Sequence, residues 1–188
     1  MTEREKMLAG VIYDYNDPEI QELQTKAFNL CLEIKSLKRD DPRYWEIVKE
    51  LIPNCNNLFI NAPFRFEYGC HTHFGTGCFV NYNFMCLDSA PVIIEDGVLI
   101  GPNVSVVTPV HPLLADERRP YAREDGVITD DEYALPIRIC KDCWIATNVT
   151  ICGGVTIGEG TVIGAGSVVT KDIPEGVLAA GNPCKVIR

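Results

Sequence analysis

The stretch ICKDCWIATNVTICGGVTIGEGTVIGAGSVVTKDI, from Ile139 to Ile173, sets the fold. An apolar residue recurs every six positions, at Ile139, Ile145, Ile151, Ile157, Ile163 and Val169. A small or β-branched residue follows each of these four positions later, at Cys143, Val149, Val155, Thr161, Ser167 and Ile173. A period of six is neither the 3.6 of a helix nor the 2 of a flat strand. It reads as short strands separated by tight bends and coiling over one another, each strand burying one aliphatic side chain. The glycines between them, as in Gly153-Gly154 and Gly164, suit the bends.

Upstream the beat is fainter. Tyr68, Phe74, Val80 and Cys86 are spaced by six; two extra residues then shift the register, and Ile94, Ile100 and Val106 resume it. Three such repeats make one triangular coil, and coils stack at strand spacing, about 4.8 Å. The countable repeats predict four to five coils. The beat then stops over residues 107–136, a stretch rich in Pro and charge. A long segment of this kind inside a compact repeat is usually functional or disordered.

The first fifty residues follow a different rule. Thr2-x-x-Glu5 is a capping box for a short helix that Gly10 ends. Asp17-Pro18 and Asp41-Pro42 each place an N-cap before a proline suited to a first helical turn. Ile20, Leu23, Ala27, Leu30, Cys31, Ile34 and Leu37 mark one buried helix face, and Tyr44, Ile47, Val48 and Leu51 another. Pro53 stops the third helix. The expected organisation is a helical segment over residues 1–57 and a β-helix over 58–188 interrupted by the loop 107–136.

Net charge is −9, which argues against a nucleic-acid binder. The excess of acid lies in residues 1–138, with 13 Lys/Arg against 22 Asp/Glu; residues 139–188 balance at 4 against 4. No apolar run of about 18 residues suggests a membrane span. Met1–Lys6 is charged, with no apolar run after it, so the reading is a cytoplasmic protein without a secretory signal. Nine cysteines, an odd number, favour reduced thiols over a disulfide framework. Cys140-x-x-Cys143 is a single pair without a second at zinc-site spacing, so a structural role is expected and no metal.

With these residues in view, the chain resembles the maltose/galactoside O-acetyltransferase group of the hexapeptide-repeat acyltransferases. The resemblance rests on the repeats plus MTEREKMLAG at residues 1–10, FVNYN at 79–83, TPVHP at 108–112, VVTKDIP at 168–174 and AGNPCKVIR at 180–188. It covers nearly the whole chain. It implies a mainly β fold: a left-handed parallel β-helix of hexapeptide repeats with an N-terminal α-helical segment and a long loop interrupting the coils. It also implies a homotrimer with active sites between subunits, and acetyl transfer from acetyl-CoA to a hydroxyl of a sugar or similar small acceptor.

An alcohol needs a base at the moment of attack, and imidazole has a suitable pKa, near 6.5. His111 matches the family's catalytic histidine before proline, and Asn81 an asparagine near the catalytic centre. Asp14, Glu67, Asp88 and Glu132 are the expected acceptor-binding carboxylates, since carboxylates accept hydrogen bonds from paired hydroxyls. Coenzyme A needs an apolar wall for its pantetheine arm and cations for its phosphates. The resemblance assigns Trp144, Thr147, Ala165, Thr170 and Lys171 to coenzyme contacts, with Lys185 and Arg188 near a phosphate. Lys185 stands where some relatives carry Arg, which bears on a bidentate contact.

One departure concerns the loop, which is longer than in compact relatives. The usual Glu-x-Gly-x-Pro there reads Glu132-Tyr-Ala-Leu-Pro136, and Ala134 takes positive φ less readily than Gly. Other readings are a zinc carbonic-anhydrase-like enzyme using His71, His73 and His111, a xenobiotic acetyltransferase, and a non-catalytic β-helix binding module. The first wants three histidines on zinc with an open position. The family's His-x₄-His pair is absent here.

Overall fold

The computed structural model describes residues 1–188. Three helices come first: α1 (Glu3–Leu8), α2 (Pro18–Glu33) and α3 (Pro42–Leu51). Each starts where the capping residues lie. Thr2 and Glu5 form the reciprocal capping box, and the Asp17 and Asp41 carboxylates accept from the backbone N–H of Glu19 and Arg43. No helix is long and apolar enough to cross a membrane.

The remainder is a β-solenoid of about six turns with three parallel faces. The first face stacks Asn54–Asn56, Thr72–Thr76, Val92–Ile94, Ile137–Ile139 and Thr156–Ile157. The second stacks Phe59–Ile60, Phe79–Val80, Leu99–Ile100, Trp144–Ile145, Val162–Ile163 and Leu178–Ala180. The third stacks Phe64–Phe66, Phe84–Leu87, Ser105–Val107, Thr150–Cys152 and Val168–Val169. The six-residue beat is the inward stack. Ile94, Ile139 and Ile157 are Cα partners on the first face, Ile100, Ile145 and Ile163 on the second, and Val106, Ile151 and Val169 on the third. All nine are buried in one core cluster of 36 residues. The cluster also contains Leu30, Ile34, Tyr44 and Leu51, so α2 and α3 close the aromatic first coils around Phe64, Phe66 and Phe74. Fully burying side chains of this size contributes roughly 1.5–3 kcal/mol each.

The coil count exceeds the expected four to five. The first coil, from Asn54, escapes the beat because its inward residues are Cys55 and then Ile60 only five steps on, with a register shift after Cys55. The last uses Ile173 and the small Ala179, which pair with Ile157 and Ile163 in what reads as a tail. Tyr68 is not a rung residue. It belongs to a second small cluster with Met7, Tyr13 and Ile20, and its six-residue spacing to Phe74 is a coincidence.

The corners differ in kind. At the first, Gly77, Gly97, Asp142, Gly160 and Gly176 repeat a left-handed backbone coil after coil. At the second, Asn83, Asn103, Asn148 and Gly166 do so, and Asn83 Nδ2 donates to Asn103 Oδ1 at 3.0 Å. The third corner is where the chain leaves the prism. It takes eight steps from Phe66 to Phe74, eight from Cys86 to Ile94, and 33 from Val106 to Ile139. That longest excursion is ordered as two antiparallel pairs, Pro109–Val110 with Tyr133–Ala134 and Tyr121–Ala122 with Ile128–Thr129. Ala134 sits buried in the first of these pairs and has no positive φ, so glycine is not required there.

Candidate active site

The third corner gathers polar groups around a fully buried carboxylate. Asp88 Oδ1 accepts from the N–H of Tyr68 at 2.9 Å and of Gly69 at 3.1 Å, and Oδ2 accepts from Thr72 Oγ1 at 2.9 Å. With 0 % exposure and its oxygens turned inward, Asp88 pins the corner together rather than facing the surface. Its backbone oxygen is 2.9 Å from His71 Nδ1, while Arg4 Nε lies 3.4 Å from His71 Nε2. Burial, with Arg4 close by, holds the His71 pKa below its usual value. Both His71 nitrogens are thus engaged and His73 is exposed on the strand, so the three histidines do not assemble as metal ligands.

Thr108 launches the long loop. Its hydroxyl donates to Leu87 O at 2.8 Å and accepts from Ala90 N at 2.9 Å. Three residues on, His111 stands half-exposed in an acidic setting. Its Nδ1 is 3.4 Å from Asp131 O and 3.5 Å from Asp130 Oδ2, and Nε2 is 3.8 Å from Glu132 Oε2. The other Glu132 oxygen accepts from the Tyr13 hydroxyl. Burial first, then this bond, holds the Tyr13 pKa far above the usual value. Asp14 is paired with Arg123 of the loop, and its backbone N–H donates to Glu3 at 2.8 Å. Glu67 accepts from Gln24 Nε2 at 2.5 Å, and burial raises its carboxyl pKa. His111, Glu132, Asp14, Glu67 and Asp88 therefore converge on one corner.

Asn81, Trp144, Thr147 and Ala165 meet elsewhere. They line a groove of about 630 Å³ running along the second face to the second corner, walled by Phe79, Leu99, Val162 and Leu178. Trp144 is 53 % exposed, an unusual state for an indole unless something lies against it. Thr147 Oγ1 donates to Pro102 O at 3.0 Å, and Asn81 Oδ1 accepts from Tyr82 N at 2.8 Å. Arg188 pairs with Leu178 through the backbone, and Lys185 with Ala180, so both residues lie beside the strand that supplies Leu178 to the groove wall. Thr170 and Lys171 follow the third-face strand Val168–Val169 and are exposed at the third corner, away from the groove. Within one chain, then, Asn81 and His111 stand at different corners of the prism. The groove offers a long apolar wall, and the third corner offers an imidazole set among carboxylates.

Sequence reasoning missed Tyr13, Gln24, Arg123 and Asp130, whose partners are distant or lie inside the loop. The groove wall had a readable signal. Phe79, Leu99, Trp144, Val162 and Leu178 each directly precede an inward residue of the second face, where a solvent-facing position would ordinarily be polar.

Comparison with known proteins shows which chains this one resembles. Residues 136–171 match the profile of the bacterial transferase hexapeptide (six repeats), residues 6–56 that of the maltose acetyltransferase hexapeptide capping motif, and residues 91–111 that of the hexapeptide repeat of succinyl-transferase. A maltose O-acetyltransferase from Clostridium difficile is 36% identical with a TM-score of 0.90, over 100% of this chain and 97% of that one. A galactoside acetyltransferase solved with coenzyme A is 35% identical with a TM-score of 0.88, over 100% and 90%. A hexapeptide-repeat acetyltransferase from Vibrio cholerae solved with acetyl-coenzyme A is 35% identical with a TM-score of 0.87, over 100% and 98%.

Proposed function

The chain belongs to the hexapeptide-repeat acetyltransferases that carry a maltose acetyltransferase-type cap, acyltransferases dependent on acetyl-CoA, and on that premise we propose that it O-acetylates a sugar-like acceptor. The observation that carries the proposal is that one chain holds both an apolar groove and, at another corner, a histidine set among carboxylates. His111 acts as the general base. With its proton on Nδ1, which lies 3.4 Å from Asp131 O, His111 has the Nε2 lone pair free to take the proton of the acceptor hydroxyl. The hydroxyl oxygen bonds to the acetyl carbonyl carbon, the carbon–sulfur bond breaks, and the proton returns from His111 to the departing coenzyme thiolate. Glu132, Asp14 and Glu67 accept hydrogen bonds from the acceptor's other hydroxyls.

Trp144, Thr147 and Ala165 wall the pantetheine arm, and Lys185 and Arg188 face a phosphate. Asn81, Thr170 and Lys171 complete sites made by two prisms side by side, with His111 from one copy and Asn81 and the groove from the next. A homotrimer provides three such sites. A cytoplasmic location suits nine unpaired thiols.

The test is release of free coenzyme thiol from acetyl-CoA with a panel of mono- and disaccharides. Turnover with at least one sugar is expected, and none with any acceptor sinks the proposal. His111→Ala should lower kcat by about 10²–10⁴ while leaving acetyl-CoA affinity nearly intact. Full activity in that variant removes His111 as the base.

A further inference from the structure

We propose that Tyr13, supplied by the helical cap, is a positioning residue for the base: its hydroxyl anchors one oxygen of Glu132 so that the other faces His111. This rests on the reading of His111 as the base. Two independent bonds tie the cap to the loop at this point. Tyr13 and Glu132 form an antiparallel backbone bridge, with Tyr13 N 3.4 Å from Glu132 O, and the Tyr13 hydroxyl donates to Glu132 Oε1. The second oxygen of the same carboxylate is 3.8 Å from His111 Nε2.

Tyr13 is itself immobilised. It is 3 % exposed and packs with Met7, Ile20 and Tyr68, so α1, α2 and the third corner all fix its ring. Gly10 closes the approach. A Cβ there would lie 3.0 Å from Ala134 O, two residues beyond Glu132. A buried phenol remains a hydrogen-bond donor across the working pH range.

The chemistry gives the anchor a purpose. As His111 accepts the hydroxyl proton, Nε2 becomes part of an imidazolium. A carboxylate held close to Nε2 stabilises that charge, whereas one free to rotate into water does so less. A mobile Glu132 would also have the Tyr15 and Tyr68 hydroxyls nearby as competing donors, and the Glu67 carboxylate would repel it. The cap would then do more than cover the end of the coil, because it supplies the hydroxyl that orients the carboxylate.

The experiment compares Tyr13→Phe, Glu132→Gln and the double variant in acetyl transfer to the best sugar of the panel. Tyr13→Phe should lower kcat about tenfold, as expected for one hydrogen bond to a charged group, with KM for acetyl-CoA within about twofold. Glu132→Gln should show the same split, a fall in kcat with KM for acetyl-CoA nearly unchanged, because both variants weaken support of the imidazolium and not coenzyme binding. The double variant should be no slower than Glu132→Gln alone, since Tyr13 acts only through Glu132. An unchanged kcat in a folded Tyr13→Phe protein, or a double variant showing the product of the two single losses, overturns the proposal. If Tyr13→Phe fails to fold, 4-fluorophenylalanine at position 13 fills the space of the hydroxyl but cannot donate. An unchanged kcat there overturns it equally. A His111→Ala protein without activity beside an unaffected Tyr13→Phe protein would refute this inference and leave the base assignment standing.

Discussion

Asp88→Ala removes three hydrogen bonds at once from a place that water does not reach. The backbone N–H groups of Tyr68 and Gly69 lose their acceptor and stay buried. Each such orphan costs about 1–3 kcal/mol. The Thr72 hydroxyl is less affected, since it can turn to Cys86 Sγ at 3.5 Å. The loss is therefore roughly 2–6 kcal/mol, which for a chain of this length is a fall in Tm of about 5–20 °C. Asp88→Asn keeps an oxygen for the two N–H groups and loses mainly charge assistance, about 1–2 kcal/mol. Thermal unfolding of the three proteins at equal concentration measures the series, and acceptor KM is taken alongside. If Asp88 is a corner pin, stability falls in that order and the KM of the folded Asp88→Asn protein stays within about threefold. An unchanged Tm in Asp88→Ala with a large rise in acceptor KM would refute the reasoning and return Asp88 to the acceptor site.

Trp144→Ala should raise KM for acetyl-CoA about 5–30-fold through the lost apolar wall, with a smaller change in kcat; steady-state kinetics check it. Gly153→Ala sets a Cβ 2.7 Å from Thr108 O and 3.3 Å from Leu135, at the root of the loop that carries His111. It should lower kcat and cost about 1–3 kcal/mol in an unfolding assay. His71 contributes to a pH dependence of stability. Its folded pKa lies below the unfolded value of about 6.5, so the unfolded chain binds the extra proton between the two. Stability from this group is complete above that window and is lost as pH falls through it. Glu67 acts oppositely, its raised pKa making stability fall as pH rises past its unfolded value. The difference in Tm between the wild type and His71→Asn, followed across pH, isolates the His71 contribution and should grow less favourable to the wild type at low pH.

The inward stack was readable because burial acts on every coil alike. Ile100, Ile145 and Ile163 face the same environment, so the same residue type recurs. Helix starts were readable because Asp17-Pro18 and Asp41-Pro42 act within one turn. What the spacing obscured depended on the third corner. Its variable length put Tyr68 on the beat by accident and hid the first coil. The relation of Tyr13 to Glu132 spans 119 positions and leaves no periodic trace. Asp88 shows the same limit for a single residue: an aspartate beside a loop looks like a ligand for sugar until its three inward bonds are seen. The placement of His111 and Asn81 at different corners follows from how the coils wind, which the residue types alone do not encode.

All three excursions leave from one edge of the prism, and this separates what can vary from what cannot. Each coil touches only the coils above and below it, so its register is fixed by its own stack. Lengthening the excursion from eight steps to 33 adds only about 1 kcal/mol of closure entropy, because that term grows with the logarithm of length. The opposite face has no such freedom, since an inserted residue there would turn a whole strand inside out. On the proposed reading, a chain built this way can change its acceptor by editing one seam while the groove on the opposite face stays in register, and chimaeras that exchange residues 107–136 between relatives have a ready-made pair of splice points.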